Sequence, residues 1–192
     1  MVKTVGRPAV FLDRDGVVIK TNIINGKPYA VRSVSEIQIL SGVSHAIKEL
    51  KKIGFTVVGV TNQPDIGNGH VAEATVRDMH NYLQDNLCID AFKFCPHAQM
   101  DGCSCRKPEP GLLYEAANEL SLELESSFMV GDRLSDIEAG LKAGCGCIFI
   151  DRFYAETKPY LINTHLIASG LPDAVKLIKN EIKMIDRTRS HE

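Results

Sequence analysis

The chain has 192 residues, 44% of them hydrophobic and 24% charged, with a formal net charge of -2 and a pI near 6.3. That length suits one domain with a substantial core, and the near-neutral balance gives no electrostatic reason to expect nucleic acid or an anionic membrane. No run approaches the roughly 18 apolar residues of a spanning helix, and Met1–Val5 lacks a secretory core, so a cytoplasmic protein is expected.

The first predicted strand, Ala9–Leu12, runs directly into Asp13-Arg14-Asp15-Gly16. Two carboxylates one residue apart, where a buried strand gives way to a glycine loop, suit a divalent cation and an ionised oxygen held as a nucleophile. A solvated turn would use the same residues. Residues 17–40 show no helical period, and Asn25-Gly26-Lys27-Pro28 reads as a turn between two extended pieces, a flap over the strand's carboxyl end. Ser41 then precedes Val43, Ala46, Ile47, Leu50 and Ile53, a helical stripe that Gly54 ends. Phe55–Val60 is almost continuously apolar, as a strand buried on both faces of a parallel sheet must be. It ends in Thr61-Asn62-Gln63, a hydroxyl and two amides suited to phosphate, although ordinary loops have this composition too. Residues 65–69 read as a loop before a helix with Val76, Met79, Leu83 and Leu87 on one side.

Ala91–Phe94 is the next strand, and a cysteine-rich loop follows it. Pro110 opens a helix whose apolar face is Leu112, Leu113, Ala116, Ala117 and Leu120. Phe128–Asp132 repeats the first pattern, an apolar strand ending in a carboxylate; a helix with Ile137 and Leu141 then runs to Gly144, and Cys147–Ile150 is another strand. After an irregular stretch over 151–164, His165–Ala168 reads as an edge strand. A last helix after Pro172 carries Val175, Ile178, Ile182 and Ile185 and is expected to fray from Arg187.

This alternation predicts a doubly wound, Rossmann-like α/β domain with a parallel sheet over residues 1–192. Such sheets bind ligands at the carboxyl ends of their strands, near the point where strand order reverses. Asp13, Asp15, Thr61, the cysteine loop and Asp132 all fall at such ends, so they are expected to meet on one rim. There Asp13 and Asp132 could share a Mg²⁺, with the Asp15 backbone carbonyl and waters completing an octahedron of hard oxygens. Cys95, His97, Cys103 and Cys105 offer three thiolates and an imidazole within eleven positions, the donor set of a closed structural Zn²⁺ site; free thiols in a reducing cell are the alternative. Cys88, Cys145 and Cys147 read as small buried residues beside strands, and His45, His70, His80, His165 and His191 as surface or core residues.

The strand ending in Asp13-x-Asp15-Gly16, with Thr61, Lys107 and Gly131-Asp132-Arg133-Leu134-Ser135-Asp136 following in order, resembles the haloacid dehalogenase superfamily of aspartate-nucleophile phosphatases. The resemblance spans about residues 8–180. The Cys-x-His…Cys-x-Cys loop over 95–107, continuing into Arg106-Lys107-Pro108, is its most specific part. That loop resembles the capless heptose bisphosphate phosphatases and their histidinol-phosphate phosphatase relatives. The resemblance implies that Asp13 attacks phosphorus, and that Asp15 protonates the leaving alkoxide and then activates water. It implies that Thr61 and Lys107 hold the phosphoryl group, with Asn62 and Gln63 contacting substrate, and that Asp132 binds Mg²⁺ while Asp136 orients the site. Asp136 could instead simply start a helix. Zinc would fix the loop so that Arg106, with Arg133, grips a second phosphate; Arg133 could equally be a solvated surface residue. Pro64-Asp65 and Asn68 stand where these phosphatases often have Ser-Gly and a basic residue, and the flap differs as well, which bears on substrate or anomer choice. A small phosphosugar substrate and a monomer are expected. Histidinol phosphate is the alternative substrate, and a zinc-stabilised phosphate-binding module without turnover is the alternative outside catalysis.

Overall fold

The computed structural model of the chain describes residues 6–24, 27–154 and 166–189. In chain order, strand β1 (Ala9–Leu12) is followed by a hairpin of β2 (Asn22–Ile24) and β3 (Lys27–Tyr29), helix α1 (Val43–Lys52), β4 (Thr56–Asn62), the short helix α2 (Pro64–Gly67) and α3 (Glu73–Leu87). Then come β5 (Ala91–Cys95), α4 (Gly111–Leu120), β6 (Phe128–Gly131), α5 (Leu134–Lys142), β7 (Gly146–Ile150), β8 (Leu166–Ala168) and α6 (Leu171–Arg189). Six strands form a parallel sheet in the order β5-β4-β1-β6-β7-β8. The chain builds outward from β1 through β4 to β5, then returns to the other flank of β1 and builds outward through β6 to β8. The reversal falls at β1, so the carboxyl ends of β1, β4 and β6 border the crevice that such a reversal opens.

The period of two along each strand divides the core. Val10, Leu12, Val57, Val130, Ile148 and Ile150 pack with α1, α3 and α6. Ala9, Phe11, Val58, Val60, Met129 and Cys147 pack with α4 and α5. Among the described residues no helix is long and apolar enough to cross a membrane.

The parallel sheet and its flanking helices agree with the sequence reading, and several local details depart from it. Gly42, not Ser41, precedes the first turn of α1, and Ile53 lies just past its end with 38% exposure. Residues 64–67 form a helical turn where a loop is expected. Leu141 faces solvent while Ile137 and Ala139 fill the core, and Cys88 is an exposed residue at positive φ beyond α3. The flap's first residues, Val17–Ile19, are wholly buried in the core, and the Val18 and Ile19 amides both donate to the Arg14 carbonyl, hooking the chain back on itself. α6 runs on to Arg189, past the expected fraying point. His165 and the side chain of Ile185 lie outside the described residues.

Candidate active site

Asp13 follows the last residue of β1, and its backbone N–H is tied to the Val130 carbonyl of β6 at 3.0 Å. Asp132 follows the last residue of β6, so the pairing of these two strands sets the two carboxylates side by side. Gly16 and Gly131 make room for them. A Cβ at Gly16, which has φ +85°, would overlap the Asp132 carboxylate, and one at Gly131 would overlap the side chain of Asp136. Asp136 lies in the first turn of α5 and accepts the Arg133 N–H at 3.0 Å, so it starts the helix and also faces the site.

Lys107 reaches this cluster from the cysteine loop. Its ammonium is buried, 2.7 Å from Asp13 Oδ1, 2.6 Å from Asp136 Oδ1, and donates to the Val60 carbonyl at 2.7 Å. Burial opposes its charge, but the two carboxylates outweigh that and raise its pKa. Oxygens of Asp13, Asp132 and Asp136 lie within 4.8 Å of one another. With all three ionised, three carboxylates against the one ammonium they contact leave a formal excess of two negative charges, with the charge of Arg133 also acting on Asp132. Both Asp132 oxygens are buried without a hydrogen-bond partner of good geometry. Burial, followed by the charges of Asp13 and Asp136, pushes the Asp132 pKa well above the usual carboxylate range, although the Tyr154 hydroxyl favours the ionised form. Asp136 is raised to about 6 by burial, less the effect of Lys107 and with Asp13 adding to it. A buried, crowded and unsatisfied set of hard oxygens with a surplus of two charges fits a divalent cation.

Asp15 is held differently. Its Oδ2 takes Arg14 Nε at 3.0 Å, Arg14 Nη2 at 2.8 Å and Gln63 Nε2 at 3.2 Å. Its Oδ1 is buried without a partner, and the residue lines the cleft. Burial raises its pKa, Arg14 lowers it and Asp13 raises it, with a net increase.

The cleft has a volume of about 670 Å³ and is lined by Asp13, Asp15, Thr61, Arg106, Lys107 and Arg133 among others. Arg106 Nη1 is buried there without a partner. Thr61 is buried, with its Oγ1 accepting from Gln63 Nε2 at 2.9 Å. Two expected substrate contacts turn out to be occupied internally. Gln63 is 1% exposed behind the cleft, because the chain turns inward after β4 and its amide bridges Thr61, Asp15 and Arg14. The Asn62 side chain, at the edge of the cleft, makes a reciprocal pair with the Lys107 backbone at 2.9 and 3.0 Å and so anchors the lysine's loop to β4. Arg133 Nη2 donates to the Pro28 carbonyl at 3.1 Å and ties the hairpin to the acidic loop. Arg32 and Asp65 form an ion pair of 2.7 Å at the cleft mouth, joining the flap to α2.

Beside the cleft, Cys95 Sγ lies 3.5 Å from both His97 Nδ1 and Cys103 Sγ, and Cys105 Sγ lies 3.2 Å from His97 Nδ1 and 3.4 Å from Cys103 Sγ. A tetrahedron with metal–sulfur bonds of about 2.3 Å has sulfur–sulfur edges of about 3.8 Å, so the four donors already stand close to the spacing that a bound metal requires. Burial opposes the Cys103 thiolate, yet hydrogen bonds from Cys105, Cys95 and the Arg106 N–H bring its pKa down to about 7. Arg106 and Lys107 are the next two residues, so whatever fixes the tetrad fixes them.

The sequence reading passes over four residues that the structure brings to the site. Arg14 is fully buried behind Asp15, and His80 lies against it from α3. Arg152 Nε donates to the Gly16 carbonyl at 2.7 Å, and the Tyr154 hydroxyl is 3.2 Å from Thr21 Oγ1. His80 had a readable signal, since it falls four residues after Val76 and three before Leu83, within the buried stripe of α3.

An aspartate pair after the first strand, an acidic motif after the fourth strand of the parallel sheet, and a lysine between them at the switch point of a doubly wound sheet define a hydrolase of the HAD class. The family model described as HAD-hydrolase-like matches residues 104–174. The D-glycero-beta-D-manno-heptose-1,7-bisphosphate 7-phosphatase of Photorhabdus laumondii is 37% identical over 92% of this chain and 97% of its own length. The enzyme of that name from Escherichia coli is 33% identical over 95% and 98%. The crystal structure of the D,D-heptose 1,7-bisphosphate phosphatase of B. bronchiseptica, complexed with magnesium and phosphate, superposes with a TM-score of 0.79 at 30% identity, covering 91% of this chain and 99% of that one. The chain belongs to this family of phosphatases, the D-glycero-beta-D-manno-heptose-1,7-bisphosphate 7-phosphatases within the HAD-like hydrolases.

Proposed function

We propose that the protein removes the 7-phosphate of D-glycero-D-manno-heptose 1,7-bisphosphate, a step in making nucleotide-activated heptose for surface polysaccharide, through an aspartyl-phosphate on Asp13. The observation that carries this reading is the buried Asp13–Asp132–Asp136 cluster, which Lys107 neutralises only in part. Asp13, Asp132 and the Asp15 backbone carbonyl would hold Mg²⁺, with Asp136 held behind them by Lys107; the bound cation would screen the phosphoryl oxygens from the anionic nucleophile. The magnesium and phosphate in the B. bronchiseptica structure support that choice of ion.

Lys107 occupies Asp13 Oδ1 and leaves the second oxygen of Asp13 for phosphorus. As the new bond to phosphorus forms, the bond to the ester oxygen breaks, and Asp15 gives its proton to the departing alkoxide from the unpartnered Oδ1. Its raised pKa favours holding that proton beforehand. The resulting Asp15 carboxylate then takes a proton from water, whose oxygen attacks phosphorus and releases Asp13 and inorganic phosphate. The Thr61 hydroxyl still has its hydrogen to donate to a phosphoryl oxygen. Arg106, with a buried nitrogen unpartnered in the cleft, grips the phosphate that is not cleaved, assisted by Arg133. Cys95, His97, Cys103 and Cys105 would hold Zn²⁺, which would make that loop rigid. Every group in this scheme comes from one chain, so a monomer suffices.

The test is phosphate release from a panel of sugar phosphates that includes both anomers of the heptose bisphosphate and histidinol phosphate, with Mg²⁺ and with a chelator. Mg²⁺-dependent release that favours the heptose bisphosphate, and is lost in Asp13→Asn, is expected. Full activity in Asp13→Asn would remove the mechanism, and preference for histidinol phosphate would remove the substrate.

A further inference from the structure

Arg14 is among the largest fully buried side chains of the protein, and a guanidinium has donors but no acceptor. Its formal counter-charge among the described residues is Asp15, reached through Nε and Nη2. Nη2 also donates to Gln63 Oε1 at 3.0 Å, and Nη1 lies 3.3 Å from His80 Nε2. Because Arg14 can only donate, His80 Nε2 is the acceptor and the ring proton sits on Nδ1, so the imidazole is neutral. Burial, then the charges of Arg14 and Arg77, hold its pKa at about 3.

The imidazole plane is itself fixed. It stacks on Phe92 at 4.4 Å between centroids and 5° between planes, and meets Phe94 edge-on at 5.2 Å. Phe92 can lie there because its partner in the sheet register is Gly59, where any Cβ would collide with the Phe92 ring. A continuous set of contacts therefore leads from Gly59 through Phe92, His80 and Arg14 to Asp15 Oδ2. With Oδ2 engaged by two hydrogen bonds and the Nη2 ion-pair contact, Oδ1 is the oxygen of this cleft-lining residue left without a partner.

We infer that His80 is a positioning residue for proton transfer: as a neutral acceptor it fixes the Arg14 guanidinium, which aims the free oxygen of Asp15 at the leaving group. This rests on the phosphatase reading above, in which Asp15 protonates the alkoxide. Losing the acceptor frees Arg14 to turn, and the Asp15 carboxyl turns with it, while Asp13, Lys107 and the acidic cluster stay in place.

The consequence is a dependence on leaving group. An alkoxide must be protonated to depart, whereas p-nitrophenolate departs without a proton. In His80→Phe, which keeps the aromatic stack but offers no acceptor, kcat/KM on a sugar phosphate should fall about tenfold or more, the scale of a displaced general acid. On p-nitrophenyl phosphate it should stay within about twofold, because kcat/KM reports only the steps through departure of the alcohol. His80→Gln restores an acceptor and should keep the wild-type ratio of the two substrates. His80→Leu is read in the same way as His80→Phe if the latter does not accumulate as folded enzyme. Equal losses on both substrates, or a His80→Gln ratio as low as that of His80→Phe, overturns the inference. The sugar phosphate used is whichever the wild type turns over fastest, so an error in the assigned substrate changes the ester and leaves the ratio readable.

Discussion

Removing the charge of Asp132 should separate what the carboxylate cluster does for stability from what it does for cation binding. Without a cation, Asp132 is buried beside Asp13 and Asp136 with neither oxygen satisfied, and its ionisation is opposed by burial and by both neighbours. Asp132→Asn abolishes that repulsion at nearly constant shape, so the metal-free variant should melt at or above the wild type. For the wild type, Mg²⁺ at about 100 times its Kd stabilises the native state by about 2.7 kcal/mol. An unfolding entropy of about 2.1 cal/mol/K for each of 192 residues gives about 0.4 kcal/mol/K, so the expected rise in Tm is about 7 °C. Asp132→Asn should lose most of that rise. The pH dependence has a definite sign. The pKa of Asp132, and that of Asp136 at about 6, are raised in the folded state, so at these two sites it holds more protons than the unfolded chain, and their contribution to the stability of the metal-free fold grows on acidification from neutral pH. Mg²⁺ competes with those protons, so its effect on Tm should shrink as pH falls through about 6. Thermal scans with chelator and with MgCl₂, from pH 8 to pH 5, read all of this. An undiminished Mg²⁺ shift in Asp132→Asn, or a metal-free variant markedly less stable than the wild type, refutes the reasoning.

Lys107→Met should abolish turnover and, by leaving Asp13 and Asp136 buried without their counter-ion, lower stability by about 3–5 kcal/mol, a Tm drop of about 7–12 °C; an unchanged melting curve contradicts the ion-pair geometry. Elemental analysis of protein prepared without chelator should find one Zn²⁺ per chain, retained in Asp13→Asn and lost in Cys103→Ser, and finding none would end the zinc assignment. Arg106→Ala should lower kcat/KM on a bisphosphate by about 10- to 100-fold, the worth of a charged hydrogen bond to phosphate, with a much smaller effect on a monophosphate; equal effects on both would place Arg106 elsewhere. His80 has a folded pKa of about 3 against 6.5 when free, so the unfolded state binds the extra proton and the contribution of this one group to stability falls as pH drops from about 6.5 toward 3, opposite in sign to that of the carboxylate cluster. The wild type should lose up to about 1.4 kcal/mol per pH unit more than His80→Phe across that window, and parallel curves in denaturant titrations would contradict it.

The parts of this molecule that can be read from sequence are those in which a local pattern and a tertiary position coincide. An apolar run ending in a carboxylate, twice, is legible because a parallel strand must stop where its charge meets the crevice, and Asp13 and Asp132 do meet there. The cluster of Cys95, His97, Cys103 and Cys105 is legible because the separation of these residues along the chain is short enough to set their separation in space. Arg14 is not, since a cation between two aspartates looks like a solvated turn, and only the hook of residues 17–19 back onto its carbonyl puts it inside. Gln63 is misread for the same reason: an amide after a strand looks available to substrate until the turn of the chain buries it. Ile53 and Leu141 extend an apolar period beyond the face that the sheet covers, and periodicity alone does not say where a neighbour ends.

Two sets of charges with separate counter-charges share one rim. Asp15 belongs with Arg14, Gln63 and His80, a set that balances to zero when Asp15 is ionised and closes on itself apart from one carboxylate oxygen. Asp13, Asp132 and Asp136 belong with Lys107, a set left two charges short of balance. A group that must gain and lose a proton needs surroundings whose charge does not change when the cation arrives, and a group that must bind the cation needs surroundings that demand one. Arg14, between the two aspartates in sequence but facing the interior, keeps the Asp15 carboxylate out of the cation's set although Asp13 is only two residues away. Exchanging Arg14 for a smaller residue should therefore do more than weaken an acid. It would add a fourth carboxylate to the cluster, and the fold would then have to hold three uncompensated charges where a divalent ion neutralises two.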